Sequence, residues 1–236
     1  MILAIESSSL VASVAIADKN KIIAEYTTNQ KKTHSQTLLP MIAAIFKITE
    51  MNKNDICAIA VSSGPGSFTG LRIGSATAKG LGLALNKPLI SIPTVDGLSY
   101  NIQYTNHIIC PIMDARRNQV YTGLYENTDG NQITIMEQKA VGIEELAEKL
   151  NDIGRPVIFL GDGTPVYMGL LDEKLKVLHY YAPEHMNRQR AGSIAALGMI
   201  YYTQGKTESA DIHMPNYLRM SQAERERLNY DTRNDI

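Results

Sequence analysis

Apolar residues at the start of the chain come in short runs broken by polar turns. Residues 1–6 are apolar up to Glu6 and run into Ser7-Ser8-Ser9; residues 11–17 form a second run; Asp18-Lys19-Asn20-Lys21 is polar; residues 22–27 form a third. Runs of strand length joined by tight polar turns predict an antiparallel three-stranded meander. The period then changes. Leu38, Leu39, Ile42, Ile45 and Phe46 recur at helical spacing, predicting a helix over residues 35–49. Pro40 is placed near its start, where a missing N–H does little harm, and Thr33, Ser35 or Thr37 is available to cap it. Residues 58–64 read as a buried strand running into a glycine turn. A further helix follows, then a strand at 88–92 and a helix at 95–103.

The same order returns in the second half. Residues 108–113 form a run that ends in Asp114, residues 119–125 a second, and 132–136 a third after the turn signal Asn127-Thr128-Asp129-Gly130. A helix at 143–151, a strand at 157–163 with its own glycine turn, a strand at 176–180 and a helix at 191–204 complete it. Glu6 and Asp114 occupy matching places, and the alignment that superposes them carries Ile16 onto Leu124 without a gap. Residues 58–64 likewise match 157–163. This order predicts an α/β chain of two tandem ribonuclease-H-like domains, the plan of the actin-like ATPase (ASKHA) superfold. The domains are expected at 1–104 and 105–214, with a tail, 215–236, packing back on the first; its charged part from Ser221 reads as a short helix or a frayed end.

Composition narrows the function. A net charge of −1 argues against a chain that holds nucleic acid on its own, because neutralising phosphate needs a basic surplus. Cys57 and Cys110 sit in apolar runs and read as buried, reduced thiols, with no disulfide framework or zinc site. No leader-like segment opens the sequence, and no apolar run approaches the roughly 20 residues a membrane span needs. A reducing cytoplasm is the expected home.

Residues 62–72, Ser-Ser-Gly-Pro-Gly-Ser-Phe-Thr-Gly-Leu-Arg, carry the densest glycine signal. A loop between strand and helix can present backbone N–H groups to an anion, or it can be a purely structural turn. No Lys-Ser or Lys-Thr follows the glycines, so it is not a Walker A loop. In the helix beyond, Gly70, Gly74, Ala78 and Gly82 recur every four residues and share one face. Each helical glycine is disfavoured by ~1 kcal/mol relative to alanine, so the stripe implies close packing. Either a neighbouring helix of the same chain or a partner's helix fits that need. The second choice makes a seam of His34, Leu38, Leu39, Ile42, Phe68, Gly70, Leu71, Gly74, Ala78 and Gly82.

The run Gly64-Pro65-Gly66-Ser67-Phe68-Thr69-Gly70-Leu71-Arg72-Ile73-Gly74 resembles the signature of the TsaB (YeaZ) family. So do the opening Ile2-Leu3-Ala4-Ile5-Glu6-Ser7, the segment His34-Ser35-Gln36-x-Leu38-Leu39-Pro40, and Pro215-x-Tyr217-Leu218-Arg219. The resemblance implies a non-catalytic subunit needed to make threonylcarbamoyladenosine beside the tRNA anticodon. It implies pairing with TsaD, the related subunit that carries the metal and transfers the threonylcarbamoyl group, through the first two helices. The same surface would support a homodimer when TsaD is absent; TsaE, a small ATPase, would join the pair, and tRNA would be met indirectly, through the complex. One departure stands out: the family's first-strand acid is usually aspartate, and here it is Glu6.

The residues themselves agree with a chain that is no enzyme alone. TsaD holds its metal with an H-x-x-x-H pair; here His34, His107, His179, His185 and His213 include no two four apart. Glu6, Asp114 and Gly161-Asp162-Gly163 are the candidates for nucleotide contact, but the loops after Glu6 and Asp114 lack the glycines that let backbone approach phosphate. The nucleotide site therefore reads as degenerate, with ATP and Mg left to the complex. Arg116 and Arg117 are a solvated turn or an anion contact. An independent actin-like ATPase or phosphotransferase is the alternative.

Overall fold

The three N-terminal runs become β1 (Ile2–Glu6), β2 (Ala12–Ala17) and β3 (Ile22–Thr28), paired antiparallel in that order. The computed structural model describes residues 1–128 and 131–219. Next come α1 (His34–Thr49), β4 (Ala58–Gly64), α2 (Phe68–Leu85), β5 (Leu89–Pro93) and the short α3 (Thr94–Ser99). β4 lies parallel between β1 and β5, giving the sheet order β3-β2-β1-β4-β5.

The second half repeats the plan with β6 (Ile108–Asp114), β7 (Gln119–Thr128), β8 (Asn131–Gly142), α4 (Ile143–Ile153), β9 (Val157–Leu160), α5 (Thr164–Lys174) and β10 (His179–Tyr181). Its sheet runs β8-β7-β6-β9-β10, so β6 stands where β1 stands in the first. The tandem ribonuclease-H-like architecture of the actin-like superfold is therefore present.

Both sheets are covered on both faces, which is why β1, β2 and β4 read as continuous apolar runs. Leu3, Ile5, Val14 and Ile16 pack against Leu38, Ile42 and Ile45 of α1. The opposite face meets α6 (Ala191–Thr203), through Ile194, Ala195 and Leu197 against Ile2, Ala4 and Ile90. In exchange, α3 from the first half packs on the second sheet, with Val95 and Leu98 against Ile109, Met113, Tyr125 and Leu160. Polar bonds fix this crossing: Tyr125 donates its hydroxyl to Asp96 at 2.7 Å, and Asn127 donates to the carbonyls of Ser99 and Ile102.

Several sequence expectations are corrected. Glu6 faces Ser13 while Asp114 faces Val120, so the second hairpin is one residue shorter and the gapless alignment through Ile16 and Leu124 fails beyond the turn. Pro40 lies inside α1 rather than near its start, and Thr33 at the N-cap makes no side-chain cap bond. Helix α5 went unread; its apolar residues show no helical periodicity, and Tyr167 and Leu171 are buried by their position over the sheet. Cys110 is fully buried, and burial pushes its thiol up to about 12. Cys57 is only half-buried and donates to the Met1 carbonyl. Asp129, Gly130 and the tail from Ser221 lie outside the described residues.

Candidate functional site

The glycine loop sits where three backbone segments converge. β1 ends in Glu6 and turns through Ser7–Ser9 beneath it, and the segment 215–219 passes over it. Ser67 N–H donates to the Ser8 carbonyl at 2.6 Å, and Asn216 N–H donates to the Ser63 carbonyl at 2.6 Å. Gly64 has φ of 115°, and a methyl group on it would overlap the Asn216 carbonyl oxygen. The Gly64 amide is taken by Thr94 Oγ1 and the Gly70 amide by Ser67 Oγ. The N–H groups of Gly64, Ser67 and Gly70 are thus used within the chain and are not free to cradle an anion.

The segment above acts as a strap. Tyr217 stacks on Phe68 with ring centroids 4.3 Å apart, Arg72 lies 4.0 Å over the Phe68 ring and donates to the Tyr217 hydroxyl, and Arg219 donates to the Ala115 carbonyl. It thus joins the glycine loop of the first half to the β6–β7 turn of the second. The sequence motif Pro215-x-Tyr217-Leu218-Arg219 marked this segment without revealing its contacts.

Beneath the strap lies a cleft of about 760 Å³ between the ends of β1 and β6. Of the nucleotide candidates, Asp114 and Asp162 line it; Glu6 does not. Glu6 is buried, and burial raises its carboxyl, while Ser8 and Ser62 pull the other way; Ser8 N–H donates to it at 2.6 Å. It closes its own turn instead of facing a ligand. Asp114 accepts from the Arg116 amide and the Tyr167 hydroxyl. Burial raises Asp162 as well. Gly161 has φ of 113° and gives its amide to Asn187; Gly163 gives its amide to the Ile112 carbonyl at 3.0 Å. These glycines seat the β9–α5 turn against β6. Among the described residues, no three His, Cys, Asp or Glu side chains come together in a way that could hold a metal ion.

The residues read as a partner seam fall mostly inside. Gly70, Leu71, Gly74, Ala78 and Gly82 are buried, as are His34, Leu38 and Ile42. A methyl group on Gly70 would overlap the Ser7 carbonyl; on Gly74, the Ser7 hydroxyl; on Gly82 it would come within 2.9 Å of Ala210 Cβ. Close approach along this stripe is therefore to the chain's own β1 turn and C-terminal segment, and the intermolecular reading of the stripe is corrected. His34 donates through Nε2 to the Ser9 carbonyl at 2.8 Å, and Phe68 belongs to the strap contact. Only Leu39 points clearly to solvent, at 55% exposure.

The other sides of these two helices were not singled out. On α1, Leu39 and Ala43 are exposed on one side and Ile48 on the opposite side; on α2, Leu83 is exposed together with Ala76 and Gly80. Among the described residues, nothing lies within 4 Å of a methyl group built on Gly80. The signal available was Gly80 itself, a helical glycine outside the i, i+4 stripe.

Fold and site together define a duplicated actin-like chain whose Gly64, Ser67 and Gly70 amides are bonded within the chain and whose first-strand acid is sealed in its own turn. The model of the TsaD family, tRNA N6-adenosine threonylcarbamoyltransferase, matches residues 21–227. The tRNA threonylcarbamoyladenosine biosynthesis protein TsaB of Bacillus subtilis is 34% identical over 94% of this chain and 96% of its own length. Its Escherichia coli counterpart is 28% identical over 92% and 94%. YeaZ from Pseudomonas aeruginosa superposes with a TM-score of 0.78 at 23% identity, covering 92% of this chain and 99% of that one, a likeness of fold alone. The chain belongs to the TsaB (YeaZ) family. Among the described residues, no helix is long and apolar enough to cross a membrane.

Proposed function

We propose that this chain is a non-catalytic, partner-activating subunit in the making of tRNA threonylcarbamoyladenosine, and that it binds a TsaD-type transferase through the solvent side of α1 and α2. The observation that carries the reading is the exposed apolar positions there, with Leu39 on α1 at 55% exposure and Leu83 on α2 at 63%, one helical turn from the open Gly80. A helical glycine that packs against nothing among the described residues lowers stability without return. A helix from another molecule, approaching closely over Ala76 and Gly80, supplies that return.

The same surface pairs two copies of the chain when the transferase is absent, and TsaE joins the assembled pair in the cytoplasm. The burial of Glu6 in its own turn, away from the cleft, supports a scaffold role. The chain works as two units, 1–104 and 105–214, held by the crossed helices and the strap.

Gly80→Arg and Leu83→Arg test the reading. Both sites open to solvent, so the variants fold, and co-expression with TsaD followed by size-exclusion chromatography should show the complex lost. Co-elution of both variants with TsaD at the wild-type ratio contradicts it. Gly74→Leu is unsuited to this test, because its side chain would strike Ser7 inside the chain.

A further inference from the structure

The chain between α6 and the strap runs beside α2 as a third ribbon. Glu208 and Leu89 of β5 exchange both backbone bonds, each at 2.9 Å. Ala210 then sits against Gly82, where a methyl group would come within 2.9 Å of its Cβ. About one turn back along the helix, Lys79 donates through Nζ to the carbonyls of Asp211 and His213, at 2.9 and 3.0 Å. Tyr217 reaches Phe68 at the start of the helix. Residues 208–217 therefore follow α2 antiparallel, from its last turns to its first.

The inner side of the ribbon is fixed by polar bonds. His213 is buried, with Nδ1 2.7 Å from Glu208 Oε1 and 3.0 Å from Ser91 Oγ, and Ser91 donates to the same carboxylate oxygen. Both partners meet one imidazole nitrogen. The three groups are thus a clasp between ribbon and β5, not the relay of a serine nucleophile, which uses both nitrogens. The outer side is apolar and bare. Among the described residues, Ile212 and Met214 flank the buried His213 and are 64% and 75% exposed.

We propose that Ile212 and Met214 form a third strip of the docking surface for a TsaD-type transferase, continuous with the exposed sides of α1 and α2; the inference rests on that reading of the two helices. Two observations carry it. Ala76, Lys79 and Leu83 share one side of α2 by their spacing. The lysine that holds the ribbon therefore stands between two exposed apolar positions and brings Ile212 and Met214 up to the same surface. The two helices are also small for the task. Seven residues of α1 and six of α2 are exposed, where a stable interface takes roughly 20–30 residues a side. Because the clasp fixes the ribbon beforehand, docking on it orders little new chain, and the unbranched Met214 adapts to the apolar surface it meets.

Isothermal titration of the full chain with a TsaD-type transferase tests it. Ile212→Glu and Met214→Glu should each weaken binding by about tenfold or more with thermal midpoints unchanged. Ile133→Glu, at an exposed position on β8, should keep wild-type affinity. Oxidation by dilute peroxide gives a second reading. Met214 should oxidise readily in the dilute free chain and be protected by the transferase, while Met168 on α5 oxidises alike in both. Wild-type affinity of both glutamate variants, or equal oxidation of Met214 with and without the transferase, overturns the proposal; if Gly80→Arg still loses the complex, the reading of α1 and α2 stands without it. Wild-type affinity of Gly80→Arg overturns that reading and this extension together. Protection of Met214 by tRNA with no transferase present assigns the ribbon to RNA and overturns the proposal as well.

Discussion

Gly74 and Gly80 lie on one helix and face different ways. Gly74 has the Ser7 hydroxyl where a methyl group would go, and Gly80 has open space. Alanine at each should therefore change stability in opposite directions. Gly74→Ala is expected to destabilise by about 1–3 kcal/mol through overpacking, and Gly80→Ala to stabilise by about 0.4–1 kcal/mol through the unfolded chain; urea titration of both variants reads the signs. Helical spacing placed Gly70, Gly74, Ala78 and Gly82 on one face but carried no information about what that face meets, because a glycine is equally suited to its own strand turn or to another protein. The acid after the first strand was equally ambiguous. Glu6 was legible as a strand-end carboxylate, but only the fold shows it bonded to Ser8 and withdrawn from the cleft. A third buried acid has a measurable consequence. Burial pushes Asp96 up to about 6 from an ordinary 3.8, with the Tyr125 hydroxyl bond partly offsetting this. The unfolded chain releases this proton at lower pH than the folded one, so stability falls as pH rises from about 4 to 6, by on the order of 2–3 kcal/mol from this group. Asp96→Asn keeps an acceptor for Tyr125 and should flatten that slope, compared by urea midpoints at pH 4 and pH 7.

At the scale of elements, the strands and most helices were readable because their apolar periods are strong. α1 showed its face through Leu38, Ile42, Ile45 and Phe46, all now found in the core. What failed was the step from an apolar face to a partner: a face that regular is the one the chain itself buries, and the apolar positions left exposed are Leu39, which was read with that face, and Ile48 and Leu83, which were not. The strap at residues 215–219 was legible only as a motif, since a segment without regular structure has no period to read. Its anchor is testable. Tyr217→Ala removes the stack on Phe68 and the bond from Arg72, and should lower stability by about 1–2 kcal/mol; denaturant unfolding of the variant measures it.

For the whole molecule, the duplicated order of strands was visible because Glu6 and Asp114 close equivalent strands, and the sheets β3-β2-β1-β4-β5 and β8-β7-β6-β9-β10 repeat it. The exchange of α3 and α6 between the sheets was not visible, because each helix follows its own strand in sequence and only long-range packing sends it to the other sheet. That crossing leaves α1 and α2 as an outer layer, with apolar positions that the described residues do not cover. The most direct test is the rate at which a TsaD-type transferase delivers threonylcarbamoyl to tRNA, measured with TsaE and the donor-making enzyme supplied and with this chain absent, present, or present as Gly80→Arg. The account predicts that the wild-type chain raises the rate at least tenfold and that Gly80→Arg gives the rate seen with no chain at all. Full stimulation by Gly80→Arg, or transfer by this chain with the transferase left out, would contradict it.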